Sequence, residues 1–173
     1  MPETNSYSLP RNVPRSGAWI AAILATTAAV YARSLGNEFV YDDHFWIDNP
    51  HLGNWSFLWQ SFSNNLFWFH NSGHSSAILY YRPVQTAWFL LCYHLFGRNP
   101  ALWHAASIGL HLIVSFLVYR VASSLASDQV TGLIAAALFA LLPIHAEAVI
   151  WVAAASYPLS AALELAAFDF YLR

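Results

Sequence analysis

Two adjacent carboxylates, Asp42 and Asp43, follow the first long apolar run of a 173-residue chain in which only 9% of residues are charged. Neighbouring like charges repel and cost desolvation energy beside a membrane, so the pair needs a cation, a proton or catalytic work, unless a solvated loop carries it. Arg82 and, further along, His145 with Glu147 supply complementary chemistry. An arginine fork can hold a phosphate bidentately, and a carboxylate can take a proton from an attacking hydroxyl. A histidine or glutamate can orient an acceptor or help hold a divalent cation. This set suits an anionic lipid substrate. Glu38, His104 and His111 are further candidates; for the two histidines, helix-bridging hydrogen bonds are the ordinary alternative.

These residues must be positioned by membrane helices. The chain is 58% hydrophobic and 17% aromatic, contains no lysine and has a mean hydropathy of +0.43. Globular chains carry about 25% charged residues, so the composition is that of an all-α polytopic membrane protein. Apolar runs place spans at about 17–33, 101–119, 130–143 and 148–171, after a polar cytoplasmic tail over 1–16. Arg11, Arg15, Arg120 and Arg173 put the amino terminus and the far ends of the second and fourth spans in the cytoplasm. The acid pair, Arg82, His145 and Glu147 then share the non-cytoplasmic face. A basic n-region, an apolar core and Val30-Tyr31-Ala32 also fit a cleavable signal peptide, which delivers the acids to the same side.

The loop over 34–100 is long and aromatic. Trp55, Phe57, Trp59, Phe62, Phe67, Trp68 and Phe69 suit one or two short helices lying in the headgroup layer, or a surface that buries another domain. Pro83 is placed to start a helix running to Phe96, which Gly97-Arg98-Asn99-Pro100 ends; about 14 residues is too short to span. In the second span His104, Ser107, His111 and Ser115 recur at steps of three and four, a polar stripe that should face protein. Pro158 is expected to interrupt the fourth span, and Asp169 to reach the interface beside Arg173.

Several classes are excluded. A net charge of −2 offers no field for nucleic acid, and the single cysteine, Cys92, forms neither an internal disulfide nor a cysteine metal cluster. No phosphate-binding G-x-x-x-x-G-K-S/T loop and no H-E-x-x-H zinc motif is present.

The ordered series Asn37-Glu38-Phe39-Val40-Tyr41-Asp42-Asp43, Asp48-Asn49-Pro50, Tyr81-Arg82-Pro83, His104 with His111, Pro143-Ile144-His145-Ala146-Glu147-Ala148-Val149 and Trp151-Val152 resembles the membrane half of the transmembrane and tetratricopeptide-repeat O-mannosyltransferases and their bacterial relatives. These are GT-C glycosyltransferases. The resemblance runs from about Asn37 to the end and implies the amino-terminal part of a GT-C membrane module. It implies transfer of a mannose-like sugar from a polyprenyl-phosphate donor to a hydroxyl, such as protein Ser or Thr, on the luminal or periplasmic side. Asp42 falls on the position of a general base, with Asp43 supporting it or helping to bind a divalent metal ion. Arg82 falls on that of a donor-phosphate ligand, and His145 and Glu147 on the second outward loop. The implied setting is the bacterial inner membrane or the endoplasmic reticulum. Further spans and tetratricopeptide repeats would complete the enzyme, so this piece alone is expected to be inactive.

The series departs from the family pattern at two points: Ser107 stands where an asparagine is common, and 153–158 replaces a Gly-Arg-Ala-Asp-like segment, losing an arginine and an acid. The rival class is a non-catalytic membrane scaffold or assembly protein that keeps the fold. A cation or proton transporter would distribute ionisable groups through its spans, whereas here they cluster at one face.

Overall fold

The computed structural model describes residues 16–64 and 81–173. The expected cytoplasmic tail with Arg11 and Arg15, and the aromatic stretch Phe67, Trp68 and Phe69, lie outside the described residues apart from Ser16. All described regular structure is helical: α1 (Ser16–Tyr31), α2 (Asp42–Ile47), α3 (Ser56–Ser63), α4 (Pro83–Phe96), α5 (Pro100–Ala126), α6 (Gln129–Leu141), α7 (Ala146–Ile150) and α8 (Ser156–Tyr171). Short 3₁₀ turns join several of them. Two helical stretches, Ser16–Gly36 and Pro100–Ala126, are long and apolar enough to cross a bilayer, which makes this an all-α membrane module.

Local chemistry sets the boundaries. Asn99 caps α5 by accepting from the Ala101 N–H at 3.1 Å, and Pro100 opens the helix at a position where a missing N–H costs nothing. Ser127 ends α5 in the left-handed region with φ 49°, and one residue later Asp128 caps α6 through the Thr131 N–H and hydroxyl. The resulting α5–α6 hairpin packs closely at Gly132, where any Cβ would meet the Ser123 side chain and the Tyr119 carbonyl. Gly97, with φ 57°, stops α4 at the expected place, and its carbonyl accepts from the Trp103 indole at 2.9 Å.

The polar stripe of α5 faces protein as expected: His104, Ser107, His111 and Ser115 are all buried. The described parts of the first loop, 34–64 and 81–100, contribute to a packed core. Trp46, Leu52, Phe57, Phe89, Trp103 and Val152 form one core, with Trp46 stacked on Phe89 at 4.7 Å between ring centroids. In α3, Phe57 joins this core while Trp59 and Phe62 remain exposed; Trp55, just before the helix, stacks on His94 at 4.7 Å between ring centroids.

The later spans differ from the sequence-based expectation. The expected span 130–143 ends at Leu141, because Pro143 starts a new 3₁₀ turn; α6 and the segment Pro143–Ile150 form one bent pair with a 52° break. The expected span 148–171 is divided into α7, the turn Val152–Ala155 and α8. Tertiary hydrogen bonds to that turn, described below, hold the break. Pro158 does not interrupt a helix: it sits in the first turn of α8, where no intrahelical N–H bond is lost. At the other end Asp169 is buried between Arg120 and Arg173, at 3.1 and 3.0 Å, tying α8 to α5 beside Arg173 as expected.

The Gly132 contact has a measurable consequence. Gly132→Leu should lower the stability of the detergent-solubilised protein by about 1–3 kcal/mol through overpacking. Gly109→Ala, where the added methyl meets nothing within 4 Å, should leave it unchanged or raise it by up to about 1 kcal/mol. Thermal unfolding of the two variants checks this; equal melting temperatures would mean that the hairpin does not depend on close approach.

Candidate active site

The two acids of α2 lie in different environments. Asp42 is exposed, whereas Asp43 lies on the face of Trp46 and Ile47 and is fully buried. One carboxylate oxygen of Asp43 reaches back to accept from the Val40 N–H at 3.1 Å, and the other accepts from the Ala153 N–H at 2.7 Å. Burial pushes the Asp43 carboxyl above its ordinary range; the two backbone N–H groups and the nearby His104 and His44 act against that rise. Tyr41, immediately before the pair, has φ 48°, a conformation costly for a bulky residue, so backbone strain is stored beside the acids.

Ala153 joins a second helix to this anchor. Its carbonyl accepts from the Gln85 side-chain amide at 2.9 Å, so this one residue is held by α2 through its N–H and by α4 through its carbonyl. Arg82, at the start of α4, donates to the Gln85 side-chain oxygen and to the Ser156 hydroxyl, each at 3.4 Å. It lines a cavity of about 320 Å³ between α4 and α8, with Ser156 and Ser160 as polar lining and Leu159 and Leu163 as apolar walls. A cation beside an apolar slot suits an amphiphile with an anionic head.

His104 belongs to the same cluster. It is 1% exposed, and among the described residues neither ring nitrogen meets a partner in good hydrogen-bond geometry. The Asp43 carboxylate and the backbone at Glu38, Ile150 and Asn37 surround it. Buried polar atoms without a partner are uncommon, and among the described residues His104 shares this feature with Asn49, Ser123 and Trp151. His111, in contrast, bridges helices in the ordinary way, its Nε2 lying 3.2 Å from the Ala140 carbonyl.

The remaining candidates are placed elsewhere. His145 packs on Phe139 at 4.3 Å and on His111 at 5.9 Å between ring centroids, forming a separate aromatic group. Glu147 and Glu38 are exposed, and among the described residues neither forms an ion pair. No three His, Cys, Asp or Glu side chains among the described residues converge as metal ligands, and both Asp43 oxygens already accept backbone N–H bonds. A divalent ion therefore finds no ready ligand set among the described residues there.

Comparison with known proteins identifies the context. The chain is 35% identical over 172 residues to "Protein O-mannosyl-transferase TMTC1" of Mus musculus, an alignment covering 95% of this chain and 18% of that protein. It is 35% identical over 155 residues to TMTC3 of Homo sapiens, covering 89% and 17%, and 34% identical over 121 residues to TMTC2 of Mus musculus, covering 70% and 14%. The chain is homologous to a segment of the protein O-mannosyl-transferases. It spans less than a fifth of the length of these relatives. No family model matches the chain, and no solved structure matches it.

For this mannosyltransferase homologue, sequence reasoning missed Gln85, Ser156 and the Ala153 backbone. Gln85 carried a usable signal, being a long amide three residues after Arg82 within an otherwise apolar helix start. Ala153 carried none, since its contribution is a peptide group that any residue could supply.

Asp43→Asn should destabilise the protein by about 1–3 kcal/mol, because an amide cannot accept both backbone N–H groups without turning its own NH₂ toward one of them. Asp42→Asn should leave stability within about 0.5 kcal/mol. The pH dependence has a definite sign. A carboxyl raised in the folded state carries a penalty that is full above the raised value. As pH falls from there to the ordinary carboxylate range, this group's contribution becomes more favourable. That component should vanish in Asp43→Asn, as followed by melting temperature against pH.

Proposed function

We propose that the full-length protein is a membrane glycosyltransferase that moves a mannose-like sugar from a polyprenyl-phosphate donor to a hydroxyl acceptor, such as a protein Ser or Thr. The homology to protein O-mannosyl-transferases supports the transferase class. The observation that carries the residue assignment is the division of labour within the acid pair, with Asp43 anchored on Ala153 and Asp42 left accessible beside it.

In this reading Asp42 is the catalytic base. It takes the proton from the acceptor hydroxyl as that oxygen attacks the anomeric carbon; the bond from that carbon to the phosphate oxygen breaks and polyprenyl phosphate leaves. Arg82 holds the phosphate at the mouth of the α4–α8 cavity, with Ser156 as a second polar group and Leu159 and Leu163 along the chain. Asp43 is a positioning residue, holding α2 so that Asp42 faces the reaction. The reaction runs on the non-cytoplasmic side of the membrane, luminal or periplasmic, and further parts of the protein complete the acceptor site.

Asp42→Asn in the full-length protein should reduce sugar transfer about 10²–10⁴-fold with donor binding preserved. Arg82→Lys should weaken donor binding, because the ammonium lacks the planar fork. Transfer of labelled sugar is measured together with expression. Near-parental transfer by Asp42→Asn would remove the base assignment, and unchanged donor affinity in Arg82→Ala would remove the phosphate assignment.

The sidedness has its own test. Cys92 is buried and its thiol is pushed up to about 12, so it contributes little background to maleimide labelling. A cysteine introduced as Glu38→Cys should react with an impermeant reagent from the non-cytoplasmic side. Labelling confined to the cytoplasmic side would reverse the assignment.

A further inference from the structure

A second cavity, of about 360 Å³, lies between the end of α1 and the elbow joining α6 to α7. It shares no lining residue with the Arg82 cavity. Val30, Leu141 and Ile150 supply apolar wall, and Arg33, Ser34 and Asn37 supply polar lining. Its size falls within the range of about 300–1,000 Å³ typical of small-molecule sites.

Arg33 sets this cleft apart. Among the described arginines, Arg82, Arg98, Arg120 and Arg173 all have side-chain partners: Arg82 bonds Gln85 and Ser156, Arg98 pairs with Asp48, and Arg120 and Arg173 share Asp169. The Arg33 guanidinium has no ion pair or hydrogen bond among the described residues. It lies just beyond α1 and within the apolar stretch Ser16–Gly36, which puts it at headgroup depth. Val30 and Leu141 on the wall are themselves exposed, so the cleft opens toward hydrocarbon beside the helix as well as toward the interface. A soluble anion has no use for such a wall.

We propose that this cleft binds the phosphate headgroup of a membrane phospholipid. Arg33 takes the phosphate through its planar fork, Asn37 supplies an amide donor, and an acyl chain runs along Val30 and Leu141. The bound lipid would wedge α1 against the bent α6–α7 pair, next to the residues that lead into the α2 acids.

The test uses the full-length protein, purified in detergent and exchanged into micelles doped with phosphatidylglycerol, with lipid adducts counted by native mass spectrometry. The parent should hold one phosphatidylglycerol in preference to diacylglycerol, which lacks the phosphate. Arg33→Gln should lower that occupancy about tenfold, the scale of one lost charge-assisted contact. Leu141→Trp should lower it by filling the cleft with the charge intact, and Arg33→Lys, which cannot disturb the wall, guards against misfolding by giving an intermediate loss. Arg82→Gln should leave the adduct in place, which separates this site from the donor cavity. Parental occupancy in Arg33→Gln would overturn the proposal. So would loss of the adduct in Arg82→Gln alone, or displacement of the lipid by inorganic phosphate at equal concentration, which would describe a plain anion site.

Discussion

The hydrogen bond from the Ala153 N–H to Asp43 connects residues 110 positions apart, and the rest of the site depends on it. A fully buried carboxylate is costly unless its lone pairs are used, and here both oxygens accept backbone N–H groups, one local and one distant. Because the Gln85 amide grips the carbonyl of the same residue, the contact fixes three segments at once: α2, α4 and the turn Val152–Ala155. His104 from α5 completes the enclosure. The same turn sits at the break that separates α7 from α8. A polar anchor and a change in chain direction are thus one structural event.

This anchor also resolves the like-charge problem posed by adjacent acids. Successive helical residues differ by about 100° in direction, so when Asp43 turns inward Asp42 must turn toward solvent. The direction was legible in the sequence, because Trp46 and Ile47 stand three and four residues after Asp43 and mark its face as the buried one. Reading the pair as a unit concealed this. Once periodicity is applied, one acid is buried and bonded and the other is exposed, and the strained backbone at Tyr41 separates them from the extended segment before.

Other parts of the fold were legible for equally local reasons. Pro83 and Gly97 bound α4, and the His104 to Ser115 spacing identifies the protein-facing side of α5, because each signal acts within one or two turns. The division of the last apolar region was not legible. Residues 148–171 read as one run because alanine is equally at home in a span and in a turn, while the forces that break it come from Asp43 and Gln85, far away in sequence. Hydropathy reports where a chain can be buried, not where a distant side chain will capture its peptide groups. The placement of His145 has a local origin instead: Pro143 opens the bend before it, and His145 packs against Phe139 and His111.

The loss of charged side chains from 153–158 relative to the resembled family bears on this point. Removing an arginine and an acid would dismantle a site built from side chains in that segment. Here the segment contributes the Ala153 N–H and carbonyl and the Ser156 hydroxyl, while the charges come from α2 and α4. Its geometry is further held from the opposite end, where Asp169 of α8 bonds Arg120 and Arg173. Breaking that pair would strand a buried charge, so α8 is secured to α5 about 20 Å from the turn, at 1.5 Å per residue. With both ends of α8 anchored and α4 held through Gln85, the width of the Arg82 cavity is set by the two helices that line it. Neutral residues at 153–155 are therefore compatible with a working site, since what they must supply is a peptide group in a fixed place.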